Sequence, residues 1–257
     1  MRVIITGAAS GIGRATAELL AARDGAHRLL LSDRDADGLA AVADAIGEAA
    51  AICVADLSDP GCGDAIVAAA LAHMGGIDGV VSNAGIISGA PLVEQTIDQF
   101  ERVYAINTRA TWLLAKAAHP YLAASKGAFV ATASMSATQP TPGLGFYSSS
   151  KAALIMLIRQ LSLEWGPDGI RCNTVSPGPT YTPMTKAGYD DAERRAQRES
   201  MIPLQKLGMA EDVANAILFL LSHEAGHISG IDILVDGAMS NNLMPATGGG
   251  TGQKASR

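Results

Sequence analysis

Thr6-Gly7-Ala8-Ala9-Ser10-Gly11-Ile12-Gly13 is the stretch of sequence that decides the fold. It follows a short apolar run at residues 2–5 and precedes residues 11–23, where apolar side chains recur at helical spacing. Glycines at such a strand-to-helix turn let the backbone approach a pyrophosphate, which the free amides and positive dipole of a helix N-terminus attract. The stretch therefore predicts a dinucleotide-binding strand–loop–helix unit, and the alternative is a plain glycine turn.

The same alternation of strand and helix patterns continues along the chain. Further strands are predicted at residues 28–32, 51–55, 77–82, 128–133, 170–175 and 231–235. Further helices are predicted at residues 35–46, 60–73, 97–119, 147–165 and 210–222. The alternation predicts an α/β fold, a doubly wound, Rossmann-type sheet of seven parallel strands that binds its cofactor at the carboxyl edge.

The chain divides into one predicted domain and a tail. Residues 1–237 form the predicted dinucleotide-binding catalytic domain, because a chain of 257 residues can bury a single sizeable core. Residues 179–209 are charged, Met-bearing and weakly periodic, which is typical of a mobile lid over a substrate. Residues 238–257 are rich in Gly, Asn and Ser and are predicted to form a flexible tail.

Charge, hydropathy and cysteine usage narrow the class of protein. The formal net charge is −6 and there is no basic run, which argues against nucleic acid as a partner. No apolar run approaches membrane-spanning length, so no membrane partner is expected. Cys53, Cys62 and Cys172 lack C-x-x-C spacing and cannot all pair, which favours a reduced, cytoplasmic setting.

A tyrosine and a lysine four residues apart open the predicted helix at residues 147–165. Tyr147 and Lys151 share one helical face, so the ammonium can lie beside the phenol. A nearby cation favours the phenolate, and the pair therefore predicts a tyrosine pKa lowered from its reference of about 10. Such a tyrosine can act as a general acid or base near neutral pH.

Two further residues complete a recognisable set. Ser134 lies thirteen residues before Tyr147 at the end of a predicted strand, and Asn107 lies inside the predicted 97–119 helix. With the glycine stretch and Lys151, these residues resemble the short-chain dehydrogenase/reductase family over residues 1–237. The resemblance implies an enzyme that interconverts an alcohol and a ketone and uses a nicotinamide cofactor as hydride carrier.

The resemblance also implies a role for each member of this set. Tyr147 would exchange a proton with the substrate oxygen, and Ser134 would hydrogen-bond the same oxygen. Lys151 would lower the tyrosine pKa and hold the nicotinamide ribose. Asn107 would complete the proton path by holding a water molecule between the lysine and solvent.

The end of the second predicted strand indicates which dinucleotide is bound. Asp33 lies twenty residues after Gly13, where a carboxylate would accept hydrogen bonds from the adenosine ribose hydroxyls. Its charge opposes the 2′-phosphate of NADP, whereas the guanidinium of Arg34 would attract that phosphate. NADP-preferring relatives often carry a basic residue where this chain has Ser10. The balance favours NAD over NADP.

The resemblance supplies the rest of the cofactor site. Asp56-Leu57 matches a position that meets the adenine edge, and Asn83-Ala84-Gly85 resembles the family's Asn-Asn-Ala-Gly. Pro177-Gly178 matches a turn that packs on the nicotinamide, and Thr182 matches a residue that contacts its carboxamide or phosphate. Thr180 stands where a branched aliphatic residue is usual. The predicted cofactor set is Thr6, Gly7, Ser10, Gly11, Ile12, Gly13, Asp33, Arg34, Asp56, Leu57, Asn83, Ala84, Gly85, Tyr147, Lys151, Pro177, Gly178, Thr180 and Thr182.

The substrate pocket is predicted to be apolar. Its predicted walls lie beside the catalytic set or in the lid and are Ile86, Ile87, Met135, Leu144, Phe146, Tyr181, Met184 and Met201. The lid arginines Arg194, Arg195 and Arg198 are interleaved with acids and are predicted to face water, which disfavours an anionic substrate. The expected substrate is an uncharged secondary alcohol or ketone that is cyclic, aryl-bearing or steroid-like.

Assembly is predicted from one unusually apolar helix. Residues 152–163 are apolar on nearly every side, which is more than one buried helix face requires. Relatives pair this helix and the helix of Asn107 across a two-fold axis, so a homodimer or homotetramer is expected.

Three alternatives compete with this prediction. His223-Glu224-Ala225-Gly226-His227 matches the H-E-x-x-H motif of zinc proteases, but Gly226 interrupts the helix and no further His or Cys follows, so no metal site is predicted. A 3-oxoacyl thioester reductase usually carries Arg-Asp soon after Asn-Ala-Gly-Ile, where this chain reads Ile87-Ser88-Gly89-Ala90. A non-catalytic dinucleotide sensor on the same fold is the third alternative, and the intact catalytic set argues against it.

Overall fold

Seven parallel strands form the central sheet of the computed structural model, which describes residues 1–242. In chain order the strands are β1 (Arg2–Thr6), β2 (Arg28–Asp33), β3 (Ala50–Val54), β4 (Gly79–Ser82), β5 (Ala128–Thr132), β6 (Arg171–Pro177), β7 (Thr180–Tyr181), β8 (Gly208–Met209) and β9 (Asp232–Val235). Strands β7 and β8 pair with each other, and the others form the sheet in the order β3-β2-β1-β4-β5-β6-β9. The predicted doubly wound fold is confirmed, and its strand order reverses between β1 and β4.

Helices cover both faces of this sheet. In chain order they are α1 (Gly11–Ala21), α2 (Ala36–Ile46), α3 (Cys62–Met74), α4 (Ile97–Tyr104), α5 (Ala110–Ser125), α6 (Tyr147–Trp165), α7 (Lys186–Tyr189), α8 (Ala192–Ser200) and α9 (Ala210–Leu221). Helices α1, α2 and α9 bury apolar side chains in one core, and α3, α5 and α6 bury theirs in the other. Neighbouring strand residues alternate between the cores, as Ile4 and Ile5 do, so the strands are apolar almost throughout.

Small residues allow α3 and α5 to pack closely. Gly63 lies so near the backbone of α5 that a Cβ atom there would be 2.6 Å from the carbonyl oxygen of Leu113. Ala70, Ala115 and Ala118 are fully buried in the same core. The alanine-rich composition of the chain therefore reflects helices that pack at short distances.

The predicted 97–119 helix differs from the structure in its interior and at its end. The helical path consists of α4, a π-helical turn at Ala105–Arg109, and α5. It continues to Ser125 and ends where Lys126 adopts a left-handed φ of 51°. The π turn is the more consequential difference, because it contains Asn107.

The H-E-x-x-H segment does not lie on one α-helix. Helix α9 ends at Leu221, and His223–Ala225 form a separate short turn. Residues 1–242 contain no group of three or more His, Cys, Asp or Glu side chains placed to hold a metal ion. Among the helices of that same range, none combines the length and the apolar character that crossing a bilayer requires.

The lid (residues 179–209) contacts the beginning of the predicted tail. It contains α7 and α8 between the short strands β7 and β8. Met239–Asn241 form a short helical turn, and Nδ2 of Asn242 donates to the carbonyl of Met201 at 3.0 Å. The rest of the predicted tail, residues 243–257, lies outside the described residues.

Candidate active site

A cavity of about 590 Å³ lies at the carboxyl edge of the sheet. The loops that follow β1 to β6 line it, and so does the lid. Parallel strands bring their carboxyl ends to one edge, and ligands of such sheets bind where the strand order reverses. The cavity therefore lies where the glycine stretch predicts a dinucleotide.

The glycine loop has the conformation that a pyrophosphate cradle needs. Gly7 and Gly11 have left-handed φ values of 68° and 54°, and a Cβ atom on Gly13 would lie 2.1 Å from the Gly7 carbonyl oxygen. Ser10 precedes α1 without making a side-chain cap, so the first amides of the helix remain available to a phosphate oxygen. These features fit a dinucleotide, and the loop is more than a plain glycine turn.

Asp33 presents a fixed carboxylate to the same cavity. Its Oδ2 accepts a hydrogen bond from the amide of Ala9 at 3.2 Å, which connects the end of β2 to the glycine loop. Its Oδ1 accepts from the amides of Arg34 and Asp35 at 2.7 and 3.2 Å. Arg34 is exposed and also lines the cavity. The negative charge is therefore held in place, whereas the neighbouring guanidinium is not.

Asn83 connects three neighbouring strands beneath the cavity. Its Nδ2 donates to the carbonyls of Thr6 and Gly7 at 3.2 and 3.4 Å, and its Oδ1 accepts from Oγ1 of Thr132 at 3.0 Å. Oγ1 of Thr6 accepts from the amides of Asn83 and Ala84 at 3.0 and 3.3 Å. These bonds fix the ends of β1, β4 and β5 relative to one another, as expected for a mainly structural turn.

Lys151 is buried beside the candidate acid. Its side chain is 3% exposed, and its Nζ donates to the carbonyl of Thr132 at 2.8 Å. The same nitrogen lies 5.8 Å from the centre of the Tyr147 ring. Burial disfavours the ammonium and lowers the pKa of Lys151 to about 8.

The pKa of Tyr147 moves opposite to the prediction. Desolvation of the phenol at the cavity wall raises its pKa, and the neighbouring Ser134 hydroxyl offsets only part of this rise. The predicted net lowering by Lys151 is therefore wrong for this arrangement of groups. A phenol with a raised pKa is protonated at neutral pH, which is the form that donates a proton.

Asn107 lies behind the cavity rather than in its wall. Its Oδ1 accepts from the amide of Ile86 at 2.8 Å, and its Nδ2 donates to the Ile86 carbonyl and to Oγ of Ser150, both at 3.0 Å. The Ala110 amide donates to the carbonyl five residues earlier, which widens the helix at Asn107. Asn107 thus joins the loop after β4 to the first turn of α6.

The cavity brings together nearly all of the predicted site residues. Ser134, Tyr147 and Lys151 line it, and so does the predicted cofactor set apart from Thr6 and Gly13. Thr6 is buried under the loop of Asn83, and Gly13 packs against the glycine loop itself.

The predicted substrate walls are found only in part. Ile86, Ile87, Met135, Leu144 and Met184 line the cavity. Phe146 instead packs edge-on against Phe100, with ring centres 4.9 Å apart. The Tyr181 hydroxyl donates to Oδ1 of Asp190 at 2.9 Å, and Met201 lines a second, smaller cavity.

Residues that the sequence analysis did not assign also line the catalytic cavity. Among them are Tyr189 and Arg198 of the lid and Met239 of the predicted tail. All three lid arginines are exposed, as predicted, but Arg198 also lines the cavity. The sequence indicates the position of Arg198, because one helical face of α8 carries Arg194, Gln197, Arg198 and Met201.

Comparison with known proteins agrees with this geometry. The Enoyl-(Acyl carrier protein) reductase family model matches residues 7–240. L-rhamnose 1-dehydrogenase (NAD(P)(+)) of Sphingomonas sp. (strain SKA58) is 35% identical over 246 residues, 94% of this chain and 96% of that protein. 3beta-hydroxysteroid dehydrogenase 1 of Eggerthella lenta is 34% identical over 243 residues, 93% of each protein.

A solved structure extends the comparison to three dimensions. The short-chain dehydrogenase/reductase SDR:Glucose/ribitol dehydrogenase from Brucella melitensis is 35% identical and gives a TM-score of 0.86, covering 92% of this chain and 95% of that chain. The matches extend over almost the whole described chain and include both the glycine loop and the Tyr147–Lys151 helix. The chain therefore belongs to the short-chain dehydrogenase/reductase family of NAD(P)-dependent oxidoreductases.

Proposed function

We propose that this enzyme interconverts a secondary alcohol and a ketone with NAD(H), on a substrate that has an apolar cyclic or aryl body. The observation that carries the proposal is the convergence of Ser134, Tyr147 and Lys151 in one cavity with the fixed carboxylate of Asp33. The first three supply an acid and hydrogen-bond donors for a substrate oxygen, and the fourth supplies a ribose acceptor.

Each catalytic side chain has a defined task in this proposal. The protonated Tyr147 phenol donates its proton to the ketone oxygen during reduction, and its phenolate form takes the proton from the alcohol during oxidation. Ser134 hydrogen-bonds the same oxygen, and Lys151 holds the nicotinamide ribose beside the phenol. A bound nicotinamide would supply or accept the hydride. Asn107 acts through the loop of Ile86 and the first turn of α6, and it completes the proton path.

The wall of the cavity supports an apolar substrate body. Ile87, Met135, Leu144 and Met184 line it near the lid, and methionines adapt to irregular hydrophobic shapes. The named relatives act on a sugar and on a steroid, so family membership leaves the substrate body open. The apolar lining supports the body that we propose. A steroid-like substrate is the largest body that we propose.

The proposed preference for NAD rests on Asp33. Three backbone amides hold its carboxylate against the ribose side of the cavity, where it would repel a 2′-phosphate. Arg34 opposes this preference. We expect wild-type kcat/KM to be higher with NAD(H) than with NADP(H), and Asp33→Ala to reduce or reverse the ratio. A wild-type preference for NADP(H) would mean that Arg34 dominates.

We also propose that the enzyme forms a homo-oligomer and that it works in a reduced, cytoplasmic setting. Trp112 on α5 and Met156 and Leu163 on α6 are 44%, 60% and 80% exposed, which supports a homodimer or homotetramer built on these helices. Light scattering that gives a monomer mass at micromolar concentration would contradict it. The free thiols of all three cysteines support a reduced, cytoplasmic setting.

A second candidate function is the reduction of an acyl-carrier thioester. The description of the matching family model favours an acyl-carrier thioester as the substrate and names its enoyl form. The test is a screen of cyclic, aryl, steroid and hydroxy-acid alcohols with NAD, together with a 3-oxoacyl and an enoyl thioester with NADH. Turnover of a cyclic or aryl alcohol supports the proposal, and turnover of a thioester alone would replace it.

A further inference from the structure

The lid carries a second cavity that opens beside the catalytic one. It has a volume of about 340 Å³ and is lined by Gly188, Tyr189, Arg194, Gln197, Arg198 and Met201. Tyr189 and Arg198 also line the catalytic cavity, so the two spaces share a boundary. We call the second cavity the lid cleft.

One face of α8 supplies most of the lid cleft. Arg194, Gln197, Arg198 and Met201 follow at intervals of three and four residues, so their side chains stack along one side of the helix. Two arginines and a glutamine therefore line one small space. Like charges that line the same cavity repel each other, and an anion bound between them would reduce this repulsion.

Three of the four acids of the lid are engaged elsewhere, and the fourth, Glu193, is exposed and forms no ion pair within residues 1–242. Glu199 pairs with Arg195 at 3.0 Å, and Asp190 pairs with Lys186. Oδ1 of Asp191 caps α8 by accepting from the Arg194 amide at 2.8 Å. Within residues 1–242, no ion pair involves Arg194 or Arg198. The positive charge of the lid cleft thus has no carboxylate partner in the described part of the chain.

Arg198 also acts on the boundary residue Tyr189. Burial raises the pKa of this phenol, and the charge of Arg198 acts in the opposite direction. Tyr189 and Arg198 therefore form part of the boundary that the two cavities share, and Arg194 lines only the lid cleft.

We propose that Arg198, supported by Arg194 and Gln197, binds an anionic group on the far end of the substrate whose carbonyl lies at Tyr147. This inference rests on the proposed function and replaces its uncharged substrate by a ketone or alcohol with a carboxylate, sulfonate or phosphate. The planar guanidinium donates two parallel hydrogen bonds to such oxyanions. The apolar middle of the cavity then holds the body between the two polar ends.

The test compares acids with amides of the same shape. The probes are the ketones 4-acetylbenzoate and 3-(4-acetylphenyl)propanoate, each paired with its carboxamide, and they are reduced with NADH. Arg198→Gln removes one of the two positive charges that line the lid cleft and leaves Arg194 in place. Arg195→Gln is the matched control, because it removes the same charge from the same helix but lies outside both cavities. Calorimetry measures ketone binding to the enzyme–NADH complex independently of turnover.

We expect wild type to prefer at least one acid to its amide by about tenfold or more in kcat/KM and in affinity. Arg198→Gln should lower both values for that acid by about 10- to 100-fold, mainly through KM, and leave the amides within about twofold. Arg195→Gln should leave kcat/KM and affinity for all four probes within about twofold of the wild-type values.

Three results would overturn the inference. The first is that wild type binds the acids and the amides with equal affinity. The second is that Arg198→Gln lowers kcat/KM and affinity equally for acids and amides. The third is that this variant loses as much affinity for NADH as it loses for the acid. The last result would assign Arg198 to the coenzyme pyrophosphate. Acid-selective binding without reduction of any probe would instead uphold the anion site and reject the ketone reduction that we propose.

Discussion

The catalytic corner and the lid border the same cavity but are held in place by different interactions. The catalytic corner (Asn107, Ser134, Tyr147 and Lys151) has three members that are at most 8% exposed. By contrast, α8 of the lid has no buried residue and carries one ion pair on its surface, between Arg195 and Glu199 of the same helix. Proton transfer requires fixed distances, which burial and hydrogen bonds provide, whereas substrate entry requires a segment that can move.

Burial in the corner also has a cost in stability. Within residues 1–242 Lys151 has no carboxylate partner, and its pKa is lowered because burial disfavours the ammonium. Surface ion pairs of the lid contribute only about 0.2–1 kcal/mol each. Burial of Lys151 in the corner therefore destabilises the folded protein, whereas the surface ion pairs of the lid change its stability very little. Each prediction below changes one side of this comparison.

Tyr147→Phe tests the corner most strongly. We expect kcat for ketone reduction to fall by about 10²- to 10⁴-fold, because phenylalanine keeps the ring but has no proton to donate. The thermal midpoint and the affinity for NADH should stay close to wild type. Near wild-type kcat across the pH range would show that another group is the acid.

The same variant reports the ionisation of the phenol. Since burial raises the pKa of Tyr147, we expect the ultraviolet titration of the nucleotide-free wild type to contain a phenol that ionises above its ordinary range. Tyr147→Phe should lose this phenol and keep that of Tyr189, whose pKa burial also raises. Ionisation well below about 10 would mean that Lys151 outweighs burial, as the sequence analysis predicted.

Lys151→Met should separate activity from stability. We expect kcat to fall by about 10²-fold or more, because the ammonium beside the phenol is lost. The pKa of Lys151 lies at about 8 in the folded protein and at 10.5 in the reference state. The unfolded chain therefore binds more protons between these values, and the contribution of Lys151 to stability rises with pH across this window.

Denaturant unfolding near neutral pH and near pH 10 measures this contribution. The variant should lack that rise and should gain stability at neutral pH, by at most about 3 kcal/mol. Lys206→Met, which removes an exposed lysine of the lid, is the control and should keep the wild-type pH dependence. A variant that is less stable than wild type at neutral pH would mean that the buried ammonium is not a net cost.

Gly85→Ala tests how tightly the corner is packed. A Cβ atom there would lie 3.1 Å from Nζ of Lys151 and 3.3 Å from Oδ1 of Asn107, so both groups must move by a few tenths of an ångström. We expect kcat to fall by about tenfold to a hundredfold, because small displacements of catalytic groups are costly. A kcat within twofold of wild type would show that the corner tolerates displacement.

The fold and the corner were predictable because their signals are local in the sequence. Strand and helix periodicities identify the elements, and the Tyr147–Lys151 spacing is a property of one helix turn. The direction of the Tyr147 pKa was not predictable, because it depends on how much protein surrounds the phenol. The π turn at Asn107 was also missed, since its cause is a set of bonds to Ile86 and Ser150 on other elements.

The lid shows a different limit of prediction. Its charged composition correctly indicates an exposed segment. An exposed residue can still line a cavity, and composition does not show which residues do so. Arg198 is exposed and yet borders two cavities, whereas Arg195 on the same helix borders neither. Composition alone treats the two arginines alike, and only their helical faces distinguish them.

Gly188→Ala makes in the lid the substitution that Gly85→Ala makes in the corner. Of these variants, we expect it to change activity and stability least. A Cβ atom on Gly188 would have no heavy atom within 4 Å, and the residue lies inside the short helix α7. Alanine should therefore stabilise that helix locally by about 0.5–1 kcal/mol, because it restricts the unfolded segment. We expect global stability not to change, because we propose that the lid opens independently of the core.

Trypsin provides the measurement, because Lys186, Arg194, Arg195 and Arg198 offer cleavage sites in the lid. When opening is fast relative to cleavage, the rate follows the population of the open lid, so we expect cleavage to slow by about two- to fivefold. If lid opening limits turnover, kcat should fall by a similar factor while kcat/KM for a poor substrate stays unchanged. Slower cleavage with unchanged kcat would mean that the chemical step in the catalytic corner, and not lid opening, limits turnover. Cleavage as fast as in wild type would contradict the view of the lid as a locally opening segment, because a stabilising methyl group must reduce the open population of such a segment.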